Sequence, residues 1–384
     1  MSEEAAPATP AHGHGLGRER IVWFASIAFC GVLPALTVAA LFVDAIRDDA
    51  VAFDFRPFYR AAGSILGGTT PYPDEGVRLT AESGAYVYPP LGGLLATPLH
   101  PLPLEAAGLT VMALLVAAAA AVPFVLGVRD WRCYGLLFLW PPVLSAIQTG
   151  NVTLWFALAA ALAWRFRDRP LPASMSIATT LAAKFFLWPL VVWLAATRRI
   201  ATASLACALG AALLLASWAV IGFAGMLDYP ALLRRLEETV GEDSYTAYIV
   251  GLDIGLPSPV ARGLWLAIGL GLLAWVVLLA RNGDERSAFI TAIAASLALT
   301  PIVWLHYFAL LLVVVAVAQP RLGLIWFCPL ALIVTPGSGH PTPFQTAWTL
   351  GTVAVVVALS VRASMAWVSR GEPERDQVIE ALAP

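Results

Sequence analysis

Apolar runs follow one another along this chain from residue 22 to residue 362, with no long polar block between them. Inside hydrocarbon every backbone N–H and C=O has to be satisfied by the protein itself, so runs of this kind fold as helices. Composition agrees: 59% of the 384 residues are hydrophobic and 12% charged, against roughly 45–50% and 25% in soluble domains. The sequence therefore predicts an all-α, polytopic membrane protein with one transmembrane domain over residues 21–363, and excludes a soluble enzyme on a lone anchor. The bilayer is the partner that composition implies; the net charge of -2 identifies no other, and nucleic acid is not expected.

Residues 1–20, which include "APATPAHGHG", lack the apolar surface to fold and read as a disordered cytoplasmic tail, with 364–384 as a second cytoplasmic tail. The first apolar segment, 22–43, is too long for the apolar region of a signal peptide. It ends at Asp44 without a small-residue cleavage site, so it is expected to stay as an anchor. Cys30, Cys133, Cys207 and Cys328 lie singly in apolar segments without metal-ligand spacing and read as packing residues.

Charged residues, Pro, Gly and Asn divide the chain into about twelve expected helices: 22–43, 105–128, 133–147, 152–164, 172–184, 186–197, 201–222, 259–280, 287–303, 306–318, 322–335 and 345–362. Several have about a dozen residues, too few to cross about 30 Å at 1.5 Å per residue. Such pieces need protein around them or a wet cavity beside them. One set of helix ends is rich in arginine, including Arg129, Arg132, Arg165, Arg167, Arg169, Arg198, Arg199, Arg281 and Arg286. The positive-inside rule makes that face, and both termini, cytoplasmic at the inner (plasma) membrane. The long segments 44–104 and 223–258, with "TPGSGHPTPF", then lie outside, and function is expected at that outer boundary.

In "FDFRPFYRAAGSILGGTTPYP" Ala61, Ala62, Ile65 and Leu66 recur at helical spacing behind Phe55, Phe58 and Tyr59 and predict a short amphipathic helix in the interface, and "YVYPPLGGLLATPLHPLP" predicts a second. Asp54 precedes the first of these. It reads either as a carboxylate aimed into a cavity, as an N-cap of the helix near Arg56, or as a rim charge paired with Arg56 or Arg60. Lys184, in "AAKFFLWP", is costly inside a membrane and reads as facing a polar site, with snorkelling to the interface as the alternative. His306 follows the Pro301 break, and Gln148 and Asn151 mark another, where Asn151 also suits a helix cap. Glu237, Glu238, Glu242 and Asp243 read as a solvated acidic face; Tyr245 and Tyr248 read as sugar-stacking or interfacial rings, and His100 and His340 as loop residues. Three breaks expected on one side thus carry Gln148, Lys184 and His306 to the depth of Asp54. One carboxylate beside basic and hydrogen-bonding groups suits group transfer from a lipid phosphate to a hydroxyl.

At these residues the sequence resembles glycosyltransferase family 87, on "DFRPFY" with "GGTTPY", "YVYPPLGGLLATPLHPLP", "TGNVTLW", "LAAKFFLWPLVVWLAATRR" and "LTPIVWLHYF". The resemblance implies a GT-C fold and an inverting, polyprenyl-phosphate-sugar-dependent glycosyltransferase, a mannosyl- or pentosyltransferase of the cell envelope. Its implied partners are the lipid-linked donor and a lipid or glycan acceptor. It also implies Asp54 as general base with Asp44 as fallback, and His306 and Lys184 near the donor phosphate. Arg56, Arg60, Tyr59, Gln148 and Asn151 complete the expected binding set, although "QTGNV" departs from the family's G-Q-x-N. No carboxylate cluster of metal-site type is visible, and neither metal nor other cofactor is expected. The rival readings are a secondary transporter or lipid flippase, and a non-catalytic assembly subunit in which Asp54 faces bulk water or a salt bridge.

Overall fold

The structure is a computed structural model that describes residues 15–47, 51–74, 76–77, 79, 84–337 and 340–368, and it is helical throughout these residues. Helices α1 (Gly15–Ile27) and α2 (Leu33–Arg47) form one rod joined by a wide π turn at Ala28–Val32. The chain then turns through Phe53–Phe55 into α3 (Arg56–Leu66) and, further on, α4 (Pro90–Ala96). Phe58, Ala61 and Ala62 form the buried face of α3, as the helical spacing predicts. Helix α4 crosses that face where Gly93 sits; a Cβ there would come within 3.1 Å of the Ala61 Cβ.

Helix α5 (Leu104–Val125) follows, then α6 (Trp131–Leu137), α7 (Pro141–Thr149), α8 (Thr153–Arg165), α9 (Pro170–Lys184), α10 (Pro189–Ala196) and α11 (Ile200–Val220). The remainder is α12 (Tyr229–Val240), α13 (Ala247–Asp253), α14 (Ser258–Arg281), α15 (Glu285–Leu299), a tight turn Leu305–Leu310 leading into α16 (Leu311–Ala318), short turns near 324–334, and α17 (Pro343–Val368).

Length and apolarity taken helix by helix support fewer spans than the expected twelve. Among the described residues five helices are long and apolar enough to span: Glu19–Arg47, Leu104–Val125, Ile200–Val220, Ser258–Arg281 and Pro343–Ala366. A sixth is α7 with α8 only if that pair, bent by 119°, counts as one. The expected segment 133–147 breaks at Trp140–Pro141 into α6 and α7. The reason is a division of labour between long and short helices. The long rods keep most of their surface outward, with at most 44% of a spanning window buried, whereas all eight residues of α16 and most of α15 are buried. A helix that is apolar all round belongs to the core, and it need not cross the bilayer. Helix α1 begins before residue 21, and α17 runs past residue 363 to Val368, with Ser364 buried. Residues 1–14 and 369–384, the rest of the two expected tails, lie outside the described residues.

Connectivity gives the bundle two distinct ends. At one, α8 and α10 finish and α9, α11 and α15 start; there Arg199 bonds Asp168 at 2.5 Å and also pairs with Glu285, and the buried Arg167 lies 3.5 Å from Glu285 with its guanidinium over Trp164. The opposite end collects the C-termini of α2, α7, α9 and α15 together with α3 and α4.

Candidate functional site

Asp54 opens this second end. Ala52 adopts a left-handed conformation (φ 45°) that reverses the chain out of α2, and the turn Phe53–Phe55 follows. No side chain caps α3, so the capping alternative for Asp54 does not hold. Its carboxylate is partly buried, and Oδ2 accepts a 2.8 Å hydrogen bond from Asn151 Nδ2. Asn151 is itself fixed, because its Oδ1 accepts from Thr153 N at 3.0 Å and from Thr153 Oγ1 at 2.7 Å. Asn151 therefore restrains the start of α8 and holds the carboxylate with the same amide. Gly150 makes the approach possible: it has φ 73°, and a Cβ there would lie 2.7 Å from the Ala52 Cβ. The "TGN" turn and the segment before Asp54 can touch only because one of them lacks a side chain.

His306 comes from the opposite direction, on the tight turn Leu305–Leu310 that packs on α7 and α8. Its Nδ1 lies 3.9 Å from Asp54 Oδ2, and its buried Nε2 has no hydrogen-bond partner. The imidazole stacks on Tyr307, with ring centroids 4.9 Å apart. Lys184 ends α9, where left-handed Phe185 turns the chain toward α10. Its ammonium donates to the Tyr307 hydroxyl and lies 5.1 Å from the Tyr88 ring centroid. The Asp54 charge acts on Lys184, His306, Tyr88 and Tyr307 alike, so the five groups form one electrostatic unit.

Two cavities border this unit, one through Asp54 and both through Tyr88, while Lys184, His306 and Tyr307 line neither. Asp54 lines one of about 100 Å³ with Pro57, Tyr88, Leu236, Val240 and Trp304. Tyr88 also lines an apolar groove of about 290 Å³ with Phe58, Leu95, Leu114, Trp155 and Ala183, the neighbour of Lys184. A single tyrosine thus separates a carboxylate-bearing cavity from a groove fit for a hydrocarbon chain.

Other expected site residues do not converge. The Tyr59 hydroxyl donates to Leu102 C=O at 2.8 Å and its ring packs on His100, so it ties α3 to the turn before α5. Gln148 is exposed on α7, Arg56 lies over the Phe53 ring at 5.8 Å, and Arg60 is exposed with its guanidinium against Gly84. None of these four lines the Asp54 cavity or the apolar groove. Asp44 is exposed on α2 and lines neither cavity. Tyr245 is buried with its hydroxyl on Pro336 C=O, and Arg262 lies over the partly buried Tyr248 ring at 5.5 Å. In the acidic face Glu237 pairs with Arg262 at 3.4 Å, and Asp243 contacts His340. Cys207 is exposed on α11 rather than packed. Tyr88, Trp304 and Tyr307 went unremarked in the sequence; the signal was there, in "YVYPP" and beside His306 in "WLHYF". Among the described residues no three His, Cys, Asp or Glu side chains gather as a metal site would require.

A family model described as Glycosyltransferase family 87 matches residues 86–305, more than half of the chain. The chain belongs to glycosyltransferase family 87. It is thus a multi-pass membrane glycosyltransferase, which sets aside the transporter and assembly-subunit readings. No curated protein and no solved structure matches it. The matched stretch of this glycosyltransferase holds Tyr88, Asn151, Lys184 and Trp304, whereas His306 directly follows it and Asp54 lies well before it, joining the others only through the fold.

Proposed function

We propose that this glycosyltransferase moves a mannosyl or pentosyl unit from a polyprenyl-phosphate donor to a hydroxyl of a lipid or glycan on the external face, with inversion. The observation that carries the reading is the position of Asp54, a hydrogen-bonded carboxylate in a small cavity that shares Tyr88 with an apolar groove. The groove accommodates the polyprenyl chain, and its Lys184 end receives the phosphate. The acceptor oxygen forms a bond to the anomeric carbon as the bond from that carbon to the phosphate oxygen breaks. The hydroxyl proton passes to Asp54, and polyprenyl phosphate departs with the bonding pair. Asp54 is suited to this because a carboxylate presents acceptor lone pairs to the hydroxyl proton. Lys184 and the unpartnered His306 Nε2 supply positive charge and a hydrogen bond where negative charge grows.

The test uses purified protein, a panel of radiolabelled polyprenyl-phosphate sugars and extracted membrane lipids and glycans. Asp54→Asn keeps donor binding and loses transfer by about 10²- to 10⁴-fold, the range of general-base catalysis. Retained turnover removes Asp54 as the base, and no transfer from any polyprenyl-phosphate sugar removes the donor class.

A further inference from the structure

The stretch that delivers His306 to Asp54 runs outside any helix. Between the end of α15 at Leu299 and the turn that starts at Leu305, residues 300–304 are irregular chain, and Pro301 has no N–H to bond with. The middle of this stretch is held by another segment. Val303 N–H donates to Ser244 Oγ at 2.8 Å, and Val303 C=O accepts from Tyr245 N–H at 2.8 Å. Ser244 is fully buried, and its own hydroxyl proton has Pro301 C=O at 3.4 Å and Val303 C=O at 3.5 Å as acceptors. A further contact falls on the far side of His306, where the Tyr245 ring meets Phe308 edge-on with centroids 6.2 Å apart. Ser244 and Tyr245 thus grip the chain on both sides of the imidazole.

The gripping segment is itself pinned. Tyr245 OH donates to Pro336 C=O at 2.8 Å, and Asp243 contacts His340. The segment also follows directly on α12 through the turn Gly241–Asp243, and Val240, the last residue of α12, lines the Asp54 cavity. The helix that walls the carboxylate's cavity and the residues that fix the histidine are therefore one continuous piece of chain. A buried N–H that loses its acceptor is costly, so removing the Ser244 hydroxyl drives Val303 to shift toward another partner. His306 moves with it, because only Trp304 and Leu305 intervene. Where a side chain has to meet developing charge, a displacement of about 1 Å is enough to cost about 10²-fold in rate.

We propose that Ser244, backed by Tyr245, is a positioning residue of this glycosyltransferase, its hydroxyl setting where the His306 turn stands against Asp54. Ser244 lines neither the Asp54 cavity nor the apolar groove, so it acts through the imidazole and not on a substrate. The effect on rate rests on the transfer reading above; the effect on the imidazole does not, and the test measures the two apart.

The full chain is prepared with isotopically labelled histidine for NMR, which gives at most five imidazole signals. His306→Gln and His100→Gln identify two of them by loss. Ser244→Ala is expected to shift the His306 signal and leave that of His100 in place. Ser360→Ala, which removes a buried hydroxyl from α17, moves neither. In transfer assays with the polyprenyl-phosphate sugar selected from the panel, Ser244→Ala lowers kcat about 10- to 100-fold with donor and acceptor KM within about twofold, and Ser360→Ala leaves kcat within about twofold. In the His306→Gln background the same Ser244→Ala change lowers kcat by less than about twofold, because the group it positions is gone. Should Ser244→Ala not fold, Ser244→Cys, with a weaker acceptor in its place, is expected to give smaller effects in the same direction. An unmoved His306 signal, or rate losses that multiply in the double variant, overturns the proposal. If no polyprenyl-phosphate sugar is transferred, the spectra alone decide: a shift confined to His306 keeps the positioning role while the donor class falls.

Discussion

Asp54 is useful as a base only if its lone pairs point at the acceptor, and Asn151 decides where they point. The amide gives one 2.8 Å hydrogen bond to Oδ2 of a carboxylate that lines the small cavity. Asn151→Ala is expected to lower kcat about 10- to 100-fold, a supporting residue's usual range, with donor KM unchanged. A matching rise in donor KM would show that Asn151 contacts donor instead. Lys184 acts on the other reactant. Lys184→Met removes the charge nearest the apolar groove, so donor KM should rise and kcat fall together, with Lys184→Arg recovering part of both; kinetics at varied donor concentration check this. These residues were legible in the sequence because each interrupts apolar surroundings with a group that membranes tolerate poorly. Tyr88 and Tyr307 were not, since tyrosine is ordinary at a membrane interface and its type alone does not separate a belt residue from a cavity wall. Tyr59 misled for the same reason: it sits in the right motif, but its hydroxyl is consumed by Leu102 C=O.

At the scale of elements, the contact between the α7–α8 turn and the Ala52 reversal builds the site. Gly150→Ala places a methyl 2.7 Å from Ala52 Cβ and asks an L-residue to hold φ 73°. The left-handed conformation alone costs about 1–2 kcal/mol. Relief by separating the two segments moves Asn151 from Asp54. The variant should unfold at a lower temperature in detergent and lose transfer out of proportion to its loss of fold; full activity at unchanged thermal stability would show that the contact is dispensable. Helix limits were legible where Pro, Gly and charge punctuate the chain, as in the expected 201–222 against Ile200–Val220 and 259–280 against Ser258–Arg281. The number of crossings was not, because Val, Leu and Ala are equally frequent whether a helix meets lipid or other helices. The 15 residues of α15 read as a span in hydropathy, but they are packed as core.

For the molecule as a whole, the arginine-rich end with Arg167 and Arg199 and the end with Asp54 lie on opposite sides by connectivity, since α8 runs from Thr153, just after Asn151, to Arg165 and α9 runs back to Lys184. We propose the orientation that the positive-inside rule expects from that polarity, with the basic end in the cytoplasm and transfer outside. The two sides carry exposed positions suited to labelling: Leu227, 88% exposed just before α12, and Asn282, exposed in the α14–α15 turn. In a background with Cys207 and Cys328 changed to Ser, Leu227→Cys is expected to react with a membrane-impermeant maleimide in intact cells. Asn282→Cys should react only after permeabilisation. The reverse pattern would place Asp54 in the cytoplasm, where an acceptor on the outer surface is out of reach. The cavities would then have to serve an acceptor made and kept inside, so the labelling decides which pool of glycan the protein can meet before any sugar is assigned.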